Sequence, residues 1–238
     1  MARRKVVLFV VEGPSEELAL GYILSRLFEG QGAVRIEVMH GDILTKWRFG
    51  TVPSGRTPAK DVADRVRDCV VDYLGGNSPK LKWTDLACII QLSDTDGAYV
   101  ADDFVACEDD AELRRTLNTF HMKQESTKRL LRRSHLTYRG QSVPYGLYYF
   151  SKNLEHALHN RDEGLSDEDK LVLARRFQQE YRNDVNGFIE LMKELCPCLG
   201  YKESWDFIRE STNSCSRCSN FLLALPTDAG DWGEESPA

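Results

Sequence analysis

Long hydrophobic runs are missing from this chain. The longest near the N-terminus, Val6 to Val11, falls far short of the roughly 20 apolar residues that span a bilayer. It follows Arg3, Arg4 and Lys5 but runs into Glu12-Gly13-Pro14 with no small-residue cleavage site, so it does not read as a signal peptide. Glycine and proline are scarce, 17 and 8 among 238 residues, which excludes collagen-like and low-complexity classes. Histidine is scarcer, at five, and no HxxxH-like pair carries the adjacent acid that a zinc hydrolase uses. An excess of positive charge is lacking too. Lys and Arg number 31 against 37 Asp and Glu, a net charge of −6, which argues against a chain-wide basic surface. Cysteine is the exception to the scarcity. The seven present are an odd number, and without an export signal they fit a reducing cytoplasm.

What is present is an ordinary globular mixture, 42% hydrophobic and 29% charged, long enough to bury a sizeable core without disulfide or metal staples. Lys5 to Val11 is a β-branched run without alternation, the pattern of a fully buried parallel strand. Gly13-Pro14 opens a helix, with Glu16 and Glu17 favourable in its first turn and Leu20, Ile23, Leu24, Leu27 and Phe28 at helical spacing. Ala33 to Met39 reads as a second strand. Thr57-Pro58 starts a second helix with Val62, Val66, Val70, Tyr73 and Leu74 as its buried face. Leu86 to Leu92 is a third buried strand, and Leu147 to Phe150 is a fourth.

Strand alternating with helix predicts an α/β fold, a mostly parallel Rossmann-like sheet with helices on both faces. The domain occupies residues 1–160. A helical C-terminal extension, 161–227, packs on it: Ser166 with Asp169 marks one helix start, and Asn183 begins another helix with Phe188, Met192 and Leu195 on one face. Residues 228–238 are acidic and read as a frayed tail.

In an open parallel sheet, sites form at the carboxyl ends of the strands. Glu12 lies just past the first strand, and Asp94 and Asp96 lie just past the third. Carboxylates gathered there repel one another unless a cation neutralises them, and hard oxygen donors suit Mg²⁺ or Mn²⁺. Asp94-Thr95-Asp96-Gly97 alone is equally an ordinary turn. Paired with Glu12-Gly13 after the first strand, it becomes a candidate site.

These motifs, VLFVVEGPSEELAL followed by CIIQLSDTDG, resemble the Toprim domain of topoisomerases, primases and nucleases related to the overcoming-lysogenization-defect proteins. EGPSE, HGDI (His40 to Ile43) and FSKNLEHALH (Phe150 to His159) are similar to small bacterial Toprim-like proteins of phage-defence and abortive-infection loci. The resemblance covers roughly residues 5 to 160. It implies that Glu12, Asp94 and Asp96 hold Mg²⁺ for phosphodiester chemistry, that Glu155 supplies a further carboxylate, and that a partner ATPase accompanies the chain. Glu16, one turn into the first helix, is either a further ligand or a surface acid. A topoisomerase would need a nucleophilic tyrosine on a separate large domain, so hydrolysis of DNA or RNA is the more economical activity. The alternatives are a catalytically silent Toprim-like module that binds nucleic acid or a protein, and a phosphatase. SDTDG also resembles the haloacid dehalogenase motif DxDGT, although Ala98 replaces its threonine and Glu12-Gly13 is then unexplained.

A nucleic-acid substrate needs local positive charge. The densest basic stretch carries Lys123, Lys128, Arg129, Arg132, Arg133 and Arg139. Placed on a helix, Arg129, Arg132 and Arg133 share a face and either line a backbone groove or are simply solvated. Lys46, Arg48, Arg56 and Lys60 flank the loop after the second strand. Cys196-x-Cys198 and Cys215-x-x-Cys218 admit a structural zinc site. SWDFIRESTNSCSRCSN, however, resembles the tail of the same Toprim-like group, where the cysteine positions are often apolar or aromatic, so buried thiols are preferred. Cys69, Cys88 and Cys107 stand singly in apolar contexts and read as core.

Overall fold

A computed structural model describes residues 6–29, 33–38, 43–45, 61–76, 81–161 and 164–226. The strands are β1 (Val6–Val11), β2 (Ala33–Val38), β3 (Leu86–Asp94), β4 (His135–Tyr138) and β5 (Gln141–Phe150). They form one sheet in the order β2-β1-β3-β5-β4. The first four are mutually parallel, and β4 runs antiparallel to β5. The helices are α1 (Pro14–Leu27), α2 (Val62–Gly76), α3 (Asp110–Leu130), α4 (Leu154–His159), α5 (Asp167–Tyr181), α6 (Val185–Leu195) and α7 (Tyr201–Ile208). The α/β, mostly parallel architecture with helices on both faces is the one the periodicity predicts.

β1 shows why the run lacks alternation: both of its faces are covered. Val6, Leu8 and Val10 join a core with Val66, Val70, Leu130, Trp205 and Ile208, from α2, α3 and α7. Val7, Phe9 and Val11 join the opposite core with Leu20, Leu24, Ala157, Phe177 and Phe188, from α1, α4, α5 and α6. Successive side chains of a strand point to opposite faces, so six consecutive apolar residues feed two cores. Each core draws residues from both sides of position 160. Helix α5 begins with the expected reciprocal cap between Ser166 and Asp169, and α6 is capped by Asp184, one residue past the expected Asn183. Among the described residues, no helix is long and apolar enough to cross a membrane.

Two elements depart from expectation. The fourth strand is longer than Leu147 to Phe150 and is one arm of a hairpin, β4–β5, whose turn residues Arg139 and Gly140 both have positive φ, 49° and 78°. That geometry suits a two-residue hairpin turn. The polar helix α3 fills the stretch before it and stops at Leu130. Arg132 and Arg133 therefore lie in the connection to β4, and the shared helical face expected for Arg129, Arg132 and Arg133 does not form. Thr57-Pro58, His40, the loop bases Lys46, Arg48, Arg56 and Lys60, and the acidic tail lie outside the described residues.

The outer edge of β5 is closed in an unusual way. β4 covers only Gln141 to Pro144. Beyond it, the Tyr201 hydroxyl accepts from the Leu147 N–H (3.2 Å) and donates to the Leu147 carbonyl (2.8 Å), which also accepts from Trp205 Nε1 at 3.2 Å. Asn220 Oδ1 accepts from the Tyr149 N–H at 2.8 Å, and Ser219 Oγ donates to the Tyr149 carbonyl at 2.7 Å. Ser151 N–H donates to the Cys218 carbonyl at 2.9 Å. Side chains of the C-terminal segment, with a short antiparallel backbone bridge between Phe150 and Ser219, thus take the place of a sixth strand and satisfy an edge that would otherwise be open to pairing.

Candidate functional site

Three chain crossings converge at the carboxyl end of the sheet: β1 into α1, β3 into its following loop, and β5 into α4. Glu12 follows β1. Its Oε1 accepts from Ser93 Oγ and, at 3.2 Å, from the Asp94 N–H, so the end of β3 orients it. Gly13 is extended, and a Cβ built there would lie 3.1 Å from Glu16 Oε2, tighter than a side chain normally tolerates. Glycine at this turn lets the Glu16 carboxylate fold back over the start of its own helix. Glu16 is buried. Burial pushes its carboxyl up; backbone N–H groups of Glu16 and Gly13 and the Ser15 hydroxyl oppose that, and the neighbouring Glu155 charge adds to it.

Asp94 closes β3. Burial holds its carboxyl well above the usual carboxylate range, and Glu12, Glu16 and Asp96 push the same way against Lys123. The loop beyond is stitched to the end of β5. Thr95 N–H donates to the Phe150 carbonyl (3.0 Å), Asp96 N–H donates to the Lys152 carbonyl (2.8 Å), and Lys152 N–H donates to Thr95 Oγ1 (2.8 Å). Gly97, at φ +70°, lies against Cys215, whose sulfur would be 3.4 Å from a Cβ there.

Glu155 is buried on α4, and its Oε1 has no hydrogen-bond partner among the described residues. The helix that carries it starts at Asn153, whose Oδ1 accepts from the His156 N–H at 2.8 Å. Asn153→Ala should loosen this start and cost about 1 kcal/mol, the usual worth of such a cap. That appears as a Tm drop of about 2–4 °C at this chain length in a calorimetric scan.

Glu12, Glu16, Asp94 and Glu155 thus form one electrostatically linked group, with Asp96 at its rim. As the side chains stand, no group of three or more His, Cys, Asp or Glu among the described residues is arranged to hold a metal ion. The donor chemistry nevertheless fits a hard cation. All are carboxylate oxygens, mutually repulsive, and one buried oxygen lacks a partner among the described residues.

The basic stretch is dispersed. Lys123 is only 1% exposed, because it turns inward from α3 and meets the site from below; it cannot serve as a solvent-facing nucleic-acid contact. Arg129 pairs with Glu125 at 3.0 Å and lies 4.0 Å from Asp61, which also meets Arg133 at 3.4 Å. Arg139 lies over the Tyr138 ring on the hairpin turn. Lys128 and Arg132 are exposed.

The four late cysteines do not assemble into a ligand set either. Cys215 is exposed beside Gly97, while Cys196 donates to the Cys198 carbonyl at 3.0 Å and Cys218 is buried. Burial pushes the Cys218 thiol up to about 11, which disfavours the thiolate a metal would need. Cys69 and Cys88 are core or near-core residues as expected, and burial pushes the Cys88 thiol up to about 12.

Sequence reasoning missed Lys123 and Ser93 as members of the site. A signal for Lys123 existed: Lys123, Ser126, Thr127 and Leu130 are the buried residues of α3 and follow helical spacing. Three of the four are polar, so a search for hydrophobic periodicity passes over them. Comparison of the chain with protein-family models, with curated proteins and with solved structures finds no significant match.

Proposed function

We propose that the protein is a Toprim-like, Mg²⁺- or Mn²⁺-dependent phosphodiesterase that hydrolyses DNA or RNA. The observation that carries this reading is the linked carboxylate group at the sheet's carboxyl end, with Glu155 Oε1 buried, near the Glu16 charge and without a hydrogen-bond partner among the described residues. Evolvable stability would normally remove such a group, and a bound cation is the simplest reason to retain it. Glu12, Asp94, Glu16 and Glu155 offer the donors, with Asp96 at the rim. When bound, the ion would polarise a phosphate and lower the pKa of an attacking water. The protein's own contribution is placement: Ser93 and the Asp94 N–H orient Glu12, and α4 delivers Glu155 through its Asn153 cap. The choice of a phosphodiester substrate, a partner ATPase and a role in phage defence follow the Toprim resemblance of EGPSE, SDTDG and FSKNLEHALH.

A catalytically silent, nucleic-acid- or partner-binding module is the second reading, favoured by the lack of a preassembled ligand triad among the described residues. A cleavage assay separates the two. The full chain, given single- and double-stranded DNA and RNA with Mg²⁺ or Mn²⁺, should cleave at least one of them. Chelator should abolish that cleavage, and Glu12→Gln should reduce it about 100-fold, about 2.7 kcal/mol of lost transition-state stabilisation. Cleavage unaffected by chelator or by Glu12→Gln would remove the assignment.

A further inference from the structure

We infer that Arg217, carried by the C-terminal segment, is a positioning residue for Glu155, clasping the far end of the helix that delivers it to the site. The inference rests on the metal-site reading above and carries the site's support past residue 160. Helix α4 has only six residues, Leu154–His159, too few to hold its shape without tertiary support. Its end is closed group by group. At Asn160 the chain turns through the left-handed region, φ 55°. The Asn160 N–H donates to the His156 carbonyl at 2.9 Å, and the Arg161 N–H donates to the Glu155 carbonyl at 3.3 Å. The next two carbonyls, of Ala157 and Leu158, are among those a helix end leaves open. Arg217 takes both: Nε donates to the Ala157 carbonyl at 2.8 Å, and Nη2 donates to the Leu158 carbonyl at 3.3 Å. A guanidinium presents its donors as a rigid fork, and its positive charge suits the carbonyl end of a helix.

The same short segment holds the approach to α4. The Cys218 N–H donates to Ser151 Oγ and the Ser151 N–H donates to the Cys218 carbonyl, both at 2.9 Å, two residues before the Asn153 cap. Cys215 lies against Gly97, in the loop that follows Asp94 and Asp96. Residues 215–218 therefore touch the acidic loop and both ends of the stretch from Ser151 to Leu158. Glu155 Oε1 has no hydrogen-bond partner among the described residues, so its place depends on the helix that carries it. Arg217 is itself exposed and acts on the site through α4.

Two measurements on the full chain test this. The first is Mn²⁺ binding by titration calorimetry to the wild type, Arg217→Ala, Glu155→Gln and the double variant. Arg217→Ala should weaken binding about three- to tenfold, and Glu155→Gln about tenfold or more. In the double variant, loss of Arg217 should add less than about twofold to the effect of Glu155→Gln, because the carboxylate it positions is gone. A general weakening of the fold would instead multiply the two losses. That result, or wild-type affinity in Arg217→Ala, would overturn the inference while leaving the metal site standing. No Mn²⁺ binding by the wild type would overturn the metal-site reading and this inference together. The second is amide hydrogen exchange in chelator. In Arg217→Ala the amides of Asn160 and Arg161, which close α4, should exchange about tenfold faster or more, while those of β1 keep their protection. Wild-type protection at Asn160 and Arg161 would overturn the clasp whether or not the ion binds.

Discussion

Asp94→Asn should produce opposite effects on activity and on stability. Metal-dependent cleavage should fall about 100-fold or more, because an amide cannot replace a carboxylate ligand where several kcal/mol of charge stabilisation is at stake. In chelator at neutral pH, the same variant should melt higher than the wild type. Asp94 is half-buried beside Glu12, Glu16 and Asp96, and its carboxyl is held well above the usual range, by desolvation first and by those charges next. An asparagine keeps the shape and removes the charge. Each kcal/mol relieved is worth about 2–4 °C at this chain length.

The pH dependence follows from the sign of the shift. An acid whose pKa is raised on folding binds its proton more tightly in the native state than in the unfolded chain. As pH falls from neutral toward the ordinary value of 3.8, the native state takes up the proton first and gains stability relative to neutral pH. The advantage of Asp94→Asn over the wild type should thus be largest near neutrality and shrink on acidification. Glu16, raised for the same main reason, is linked to Asp94, so the difference reports the titration of the linked acids and not of Asp94 alone. Metal should reverse the order: at about 100 times its Kd, a ligand contributes about 2.7 kcal/mol to the protein that binds it. Calorimetric scans at several pH values, with and without Mn²⁺, measure all of this. A variant less stable than the wild type in chelator at neutral pH would sink the account of Asp94 as a charge held against its preference.

The parts of the molecule legible from sequence are those where one local signal decides the outcome. Val6–Val11 and the Leu86–Leu92 part of β3 feed both cores, so apolar runs, interrupted only by Gln91, identify them, and the acids that follow them stand where a parallel sheet places its sites. β4 was not legible because it is half exposed: His135 and Thr137 face solvent and Leu136 is buried, too short an alternation to stand out. α3 was not legible because a 21-residue helix buries only four positions and three of them are polar. Lys123 shows the deeper limit. In the sequence it is one base among six, and only the fold brings Asp94 and Asp96 within 2.5–2.7 Å of it. A charge reads as solvated until its counter-charge, far away along the chain, is known.

Asn220→Ala should destabilise the protein by about 2–4 kcal/mol, the cost of leaving one or two buried polar groups unsatisfied together with a small cavity. Asn220 is fully buried. Its Oδ1 accepts the Tyr149 N–H at 2.8 Å, and its Nδ2 donates to Ser204 Oγ at 3.0 Å. Alanine removes both bonds and supplies neither. At about 2–4 °C per kcal/mol, Tm should drop by about 4–16 °C. The consequence reaches the site because the same segment fixes the end of β5. Ser219 binds the Tyr149 carbonyl, Cys218 exchanges hydrogen bonds with Ser151, and two residues beyond Ser151 comes the cap of the helix that carries Glu155. Released from Asn220, the Tyr149 amide should exchange with solvent faster than in the wild type, and the loosening should extend to the amides of 150–156. A helix swap elsewhere on the surface would lower Tm without that local signature. Hydrogen exchange read residue by residue therefore separates a β5 edge held by side chains from a C-terminal segment that merely packs nearby; unchanged protection at Tyr149 in Asn220→Ala would favour the latter.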